Sequence, residues 1–141
     1  IIVYTSFCFL VTLIREIIKD IEDVDGDSYY KANTLVIKYG KKKTKKILHS
    51  IIIGTILSVA YIQFILLTQI FDNHSNLQIS FEKLLFVLYI LTFTIIIQIQ
   101  LNILLKKLVF AKQKSHYTYL TKLCKLIMLT GILSIPFITF F

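Results

Sequence analysis

The chain has 141 residues, 56% of them hydrophobic and only 17% charged, with four Gly, one Pro, and 16 Lys or Arg against eight Asp or Glu. A water-soluble domain would carry about a quarter charged residues and break its apolar runs with turns, yet 25 positions from Ile47 to Phe71 and 22 from Leu84 to Leu105 contain no Asp, Glu, Lys or Arg. Both runs exceed the ~20 apolar residues that cross a bilayer core as helix, which excludes soluble globular, disordered, collagenous and disulfide-framework classes and predicts an all-α fold, a polytopic transmembrane helical bundle.

Four spans are predicted, over residues 1–14, 47–71, 84–105 and 123–141, with one long polar loop at 15–46. The first is only 14 residues long and starts on Ile, as a helix cut by a fragment boundary would. It does not read as a signal peptide, because no basic segment precedes it and no small-residue cleavage site follows it. Between the second and third spans, Asp72-Asn73-His74-Ser75-Asn76 has the chemistry of a polar turn and is expected to form a short outer hairpin. The fourth span is short, but Leu120 and Leu123 extend its start while Lys122 and Lys125 snorkel to the interface, and Pro136 is expected to kink it. Gly54 and Gly131 lie inside spans, where small residues let helices approach closely.

The basic residues carry the orientation. Nine lie between Arg15 and Lys46, one is Lys83, and six lie between Lys106 and Lys125. That rich, poor, rich alternation is what the positive-inside rule predicts for an integral, multi-pass protein of the cell's inner membrane, with 15–46 and the third polar segment facing the cytoplasm. The same excess of charge in a soluble chain would suggest nucleic acid; here its distribution points to membrane lipids and to no nucleic-acid partner. Cys8 and Cys124 make no framework, and His49, His74 and His116 share no metal-binding spacing.

The acids behave differently from the bases. Six of the eight fall between Glu16 and Asp27, in Arg15-Glu16-Ile17-Ile18-Lys19-Asp20-Ile21-Glu22-Asp23-Val24-Asp25-Gly26-Asp27. If the first span continues as helix, Glu16, Asp20, Asp23 and Asp27 stack on one face, where like charges repel unless a cation sits among them. All the donors are hard oxygens, which points to Mg²⁺ or Ca²⁺ over zinc or copper. Arg15 and Lys19 lie on the flank of that stripe, placed for phosphate oxygens. An acidic turn neutralised by neighbouring lysines is the alternative reading, since charge runs are commonly solvated faces. A calcium loop starting at Asp23 fails, because Ser28 and Thr34 stand where that loop requires Gly and Glu.

The stretch Arg15-Glu16-x-x-Lys19-Asp20-x-x-Asp23-x-x-Gly26-Asp27, followed by Thr34-Leu35 and then Gly40, resembles the second aspartate-rich motif of the UbiA-type intramembrane prenyltransferases. The resemblance implies the last four spans of a nine-helix fold, so that residues 1–141 form the C-terminal part of one membrane-embedded domain. It implies an enzyme that transfers a polyprenyl group from a polyprenyl diphosphate to a small lipid-soluble or amphipathic acceptor, with Mg²⁺ as cofactor and the site at the cytoplasmic face. Asp23 and Asp27 match the metal-binding Asp-x-x-x-Asp, joined by Asp20; Asp20 and Lys19 match the catalytic pair before it; Arg15, Lys19 and Lys31 are assigned to the diphosphate. Lys31 departs from the small residue usual there, and Val36 from Pro. The family also needs a first aspartate motif, which these residues do not contain, so this piece alone is expected to be inactive. The closest branch is that of geranylgeranylglyceryl-phosphate geranylgeranyltransferases, whose acceptor is a prenylglyceryl phosphate. An aromatic acceptor of quinone biosynthesis and, from a different class, a non-catalytic membrane scaffold subunit are the other two readings.

Overall fold

A computed structural model of the chain describes residues 2–30, 32–74 and 81–134. They form five helices: α1 (Ile2–Glu22), α2 (Val24–Tyr29), α3 (Leu35–His74), α4 (Phe81–Phe110) and α5 (Lys114–Leu133). Among the described residues there is no strand, as the sequence predicts. Pro136, the tip of the outer turn and Lys31 lie outside them.

Four of the helices close a ring. The first packs against α3 and α5, and α4 packs against the same two; the short α2 lies on α1 and α3. The links from α1 to α3 and from α4 to α5 therefore sit at one end of the bundle, and both carry the basic residues that the charge pattern assigns to a single face. Two stretches, Leu35–Thr68 and Val87–Phe110, are long and apolar enough to cross a membrane. Their apolar side chains largely face outward: Tyr61 and Phe64 are 66% and 64% exposed, and Leu57, Leu88 and Ile99 are exposed too. Such a surface suits hydrocarbon, in which a helix satisfies every backbone N–H and C=O internally.

The helices overrun the apolar segments at both sides. The predicted loop at 15–46 is mostly helical: α1 continues through Lys19 and Asp20 to Glu22, and α3 is already formed at Leu35. Likewise α5 begins at Lys114, ahead of the predicted span at 123. Apolarity marks where lipid begins, whereas helical hydrogen bonding continues through Lys, Glu and Arg, all good helix formers.

Side chains buried inside the ring recur at steps of three and four, which keeps one seam of each helix facing its neighbours. On α1 they are Val11, Ile14, Ile18 and Ile21; on α4, Ile97, Leu101, Leu104 and Leu108. On α5, Tyr117, Leu120, Cys124, Ile127 and Gly131 keep the same spacing, and on α3, Leu48, Ile52, Thr55 and Val59 do so. Gly131 lets Phe7 of α1 approach closely, its Cε1 lying 3.5 Å from where a Cβ would stand. The expectation of close packing fails at Gly54, where no atom lies within 4 Å of that position, because Gly54 points out of the ring.

Polar links cross the apolar interior. The Gln98 side-chain amide donates to the Ile56 carbonyl at 3.4 Å, joining α4 to α3, and that of Gln100 donates to Thr130 Oγ1 at 3.2 Å, joining α4 to α5. At the end of α4, the Ala111 carbonyl accepts from the Lys45 ammonium of α3 and from the Tyr117 hydroxyl of α5, the latter at 3.2 Å. A cation at a helix C-terminus is favoured by the helix dipole, so this contact ties three helices at one point.

The return into α3 depends on Gly40. Its φ of 78° and ψ of 156° break the helix after five residues, in a region of backbone space open essentially to glycine alone. The buried Thr44 hydroxyl bridges the break, lying 3.0 Å from the Gly40 carbonyl and 3.3 Å from that of Leu35.

Candidate functional site

The acidic turn is assembled from the end of α1, a break, and α2. The break falls on Asp23, whose φ of −99° and ψ of 9° are not helical. Backbone bonds hold it on both sides: the Asp23 N–H donates to the Lys19 carbonyl at 2.9 Å, and the Asp27 N–H to the Asp23 carbonyl at 3.0 Å. The Ala32 N–H then donates to the Asp27 carbonyl at 2.9 Å and closes α2. A single helical face carrying four carboxylates is therefore not formed, since Glu16 and Asp20 belong to α1, Asp23 to the break and Asp27 to α2.

The charge of Asp27 nevertheless reaches Asp20 across the turn. Burial first, then the charges of Asp27 and Glu16, push the Asp20 carboxyl up from the usual carboxylate range; Lys19 pulls it the other way, and Asp23 adds to the rise. Asp20 is thus a half-buried acid whose ionised form is disfavoured by its own surroundings.

Other acids are already engaged. Glu22 accepts from Thr118 Oγ1 at 2.7 Å and from Thr121 Oγ1 at 3.3 Å, fastening α1 to α5. Asp23 Oδ1 lies 3.6 Å from Lys114 Nζ, a solvent-exposed pair of the kind that contributes little, so its carboxylate stays available. Arg15 pairs with its neighbour, its Nη2 lying 3.5 Å from Glu16 Oε1. Its Nε is enclosed and lacks a hydrogen-bond partner among the described residues, as does Thr34 Oγ1. Lys19 is exposed beside the turn. Of the sequence-assigned residues, the structure therefore gathers Asp20, Lys19, Asp23 and Asp27 around one turn and leaves Arg15 paired with Glu16.

Glu22, Lys114, Thr118 and Thr121 were not singled out by sequence. Glu22 looks like any other member of the acid run, and its partners lie 96 and 99 positions further along the chain. No local spacing could reveal that contact.

Among the described residues no three Asp, Glu, His or Cys side chains converge closely enough to enclose a metal ion between them. A metal ion at this turn would therefore have to take part of its coordination from water or substrate oxygens. An acid such as Asp20, crowded by negative neighbours, gains from a cation placed beside it.

A helical membrane bundle with an aspartate-rich turn at one end is what the sequence resemblance to UbiA-type prenyltransferases implies, and the similarities found agree with a piece of that family. Curated proteins named digeranylgeranylglyceryl phosphate synthase match partial stretches of this chain. The one from Methanosphaera stadtmanae is 65% identical over 37 residues, 26% of this chain and 14% of that protein. The one from Sulfolobus acidocaldarius is 38% identical over 65 residues, 46% of this chain and 23% of that protein. That of Thermococcus sibiricus is 47% identical over 60 residues, covering 42% and 19%. The matched stretches thus span less than a quarter of each of these relatives. No family model matches the chain, and no solved structure matches it.

Proposed function

We propose that the chain is part of a Mg²⁺-dependent membrane prenyltransferase that moves a polyprenyl group from its diphosphate to a prenylglyceryl phosphate. The observation that supports the reading is the turn at Asp23, which joins α1, carrying Lys19 and Asp20, to α2, carrying Asp27, at the basic end of the bundle. The names of the matching relatives favour a glyceryl phosphate acceptor over an aromatic one.

Asp20 and Asp27 would hold the metal, with Asp23 joining them once a ligand displaces Lys114. Bound Mg²⁺ would draw charge onto a departing diphosphate. Lys19 would contact the diphosphate oxygens, joined by Arg15 after its guanidinium leaves Glu16 and, as the family resemblance implies, by Lys31. The allylic C–O bond breaks with its electron pair going to the diphosphate; the acceptor hydroxyl oxygen forms the new C–O bond and gives up its proton to an oxygen of the released diphosphate. Asp20 and Lys19 act at the leaving group, and the apolar helices shield the allylic cation from water. The prenyl tail would stay in lipid and the diphosphate at the interface, and the lysine-rich segments favour the cytoplasmic side of the inner membrane for that interface. The first aspartate motif implied by the family would complete it, so residues 1–141 alone would not turn over.

The test is transfer of radiolabelled geranylgeranyl diphosphate to geranylgeranylglyceryl phosphate in membranes with Mg²⁺, in the protein that contains this chain. Asp23→Asn and Asp27→Asn should each lower transfer by at least about 100-fold, the scale of losing one electrostatic catalytic contact. Undiminished transfer in both variants would overturn the metal assignment and favour a non-catalytic scaffold.

A further inference from the structure

Beyond the acidic turn, the same end of the bundle carries a groove of about 500 Å³ between the last turn of α4 and the first turns of α5. It is lined by Lys106, Lys107, Phe110, Ser115, His116 and Tyr119, with no acid among them. The Lys107 ammonium lies 3.9 Å over the Tyr119 ring, a cation–π contact that holds this charge inside the groove. His116 Nδ1 accepts from the Lys112 backbone N–H at 3.3 Å, which leaves the proton of the neutral ring on Nε2 as a donor. Two ammonium groups, a hydroxyl and an imidazole N–H thus face one anion-sized space, with two aromatic rings beside them.

The location selects the anion. The groove opens where the stretch Val87–Phe110, apolar enough to cross a membrane, ends. Phe110 is 76% exposed and Val109 is exposed next to it, so the surface passes directly from apolar to cationic. A soluble phosphate would use the charges and leave the rings uncovered. A phosphodiester headgroup with acyl chains would satisfy both, as basic pockets between membrane helices do. A second groove, between α3 and α4 at the same level, is lined by Lys45, Lys46, His49 and Ser50 beside Ile53 and Val109, but its Lys45 ammonium is already held by the Ala111 carbonyl, so it does not offer the same pair of free charges.

We propose that the α4–α5 groove binds the phosphate headgroup of an anionic phospholipid of the surrounding bilayer, outside the proposed transfer site. The proposal depends on the membrane reading alone, and its test involves no transfer assay. The protein that contains this chain is purified in neutral detergent with Cys124 as its single remaining cysteine, and unfolding is followed by a thiol-reactive dye that reports exposure of the buried Cys124. Micelles doped with phosphatidylglycerol should raise the unfolding midpoint by about 5 °C over those doped with phosphatidylcholine, as preferential binding to the folded state requires. The rise should vanish in Lys106→Gln/Lys107→Gln, return in Lys106→Arg/Lys107→Arg, and survive in Lys41→Gln/Lys42→Gln, which removes the same charge elsewhere. Circular dichroism checks that the variants keep their helix content. A rise that survives Lys106→Gln/Lys107→Gln, that is lost equally in Lys41→Gln/Lys42→Gln, that inorganic phosphate alone reproduces, or that is missing in the parent chain overturns the proposal.

Discussion

Replacing Gly40 by alanine isolates a purely conformational effect. The added Cβ would meet no atom within 4 Å, so no clash contributes. What changes is the backbone: φ of 78° with ψ of 156° is available to glycine and strained for any L-residue. Holding an L-residue there costs about 1–3 kcal/mol, and the chain cannot escape by straightening without pulling the Gly40 carbonyl from Thr44 and shifting α2 against α3. For a chain of this size that corresponds to a fall of roughly 3–10 °C in the unfolding midpoint. With no Trp in the sequence, thiol-dye unfolding of the Cys8→Ser background is the suitable assay, because Cys124 is buried until the bundle opens. Gly40→Asn should not rescue, since the left-handed helical region that Asn tolerates has ψ near +45° rather than 156°. Gly54→Ala is the matched control; it is helical, outward-facing and equally uncrowded, and should leave the midpoint unchanged or raised. A Gly40→Ala chain that melts with its parent would refute the conformational role.

Three further outcomes are expected. Glu22→Ala removes the acceptor shared by Thr118 and Thr121 and should destabilise by about 1 kcal/mol, with faster hydrogen exchange at the start of α5; an unchanged exchange rate there would count against the clasp. Asp20→Asn should behave oppositely. A carboxyl whose folded-state pKa is raised destabilises the fold when ionised, above its unfolded pKa, so neutralising it should hold or raise the unfolding midpoint without Mg²⁺ while abolishing transfer; a clear loss of stability would mark Asp20 as structural. In the Cys8→Ser chain a maleimide should spare the buried Cys124 until denaturant is added; rapid labelling of Cys124 without denaturant would contradict the packing of α5 against α1.

Much of the site was legible because it is local. Asp20, Asp23 and Asp27 lie within eight residues, and the hard-oxygen donors and their flanking Lys19 need no tertiary knowledge to be noticed. The geometry within those residues was not legible. A continuous helix and a helix broken at Asp23 satisfy the same spacing, and the break was decided by how α2 lies on α1 and α3. The division of labour among the acids was equally hidden, since Glu22 differs from its neighbours only through two threonines at the far end of the chain. Gly54 and Gly131 make the same point. Both are glycines inside apolar helices, yet only Gly131 faces another helix.

By itself the sequence determined the class of solvent, the helical character and the end of the bundle that carries charge. Those properties follow from composition summed over long runs: uncharged stretches beyond bilayer length admit only structures with internally satisfied backbone, and lysines mark the segments left at the interface. Tertiary structure alone decided which side of each helix faces inward. In helices apolar all round, a buried Leu104 and an exposed Ile103 have the same hydropathy, and lipid is as good a solvent for either as the core is. Their separation comes from shape, from the three-and-four spacing that lets four particular seams interlock, and that complementarity exists only once all four helices are in place.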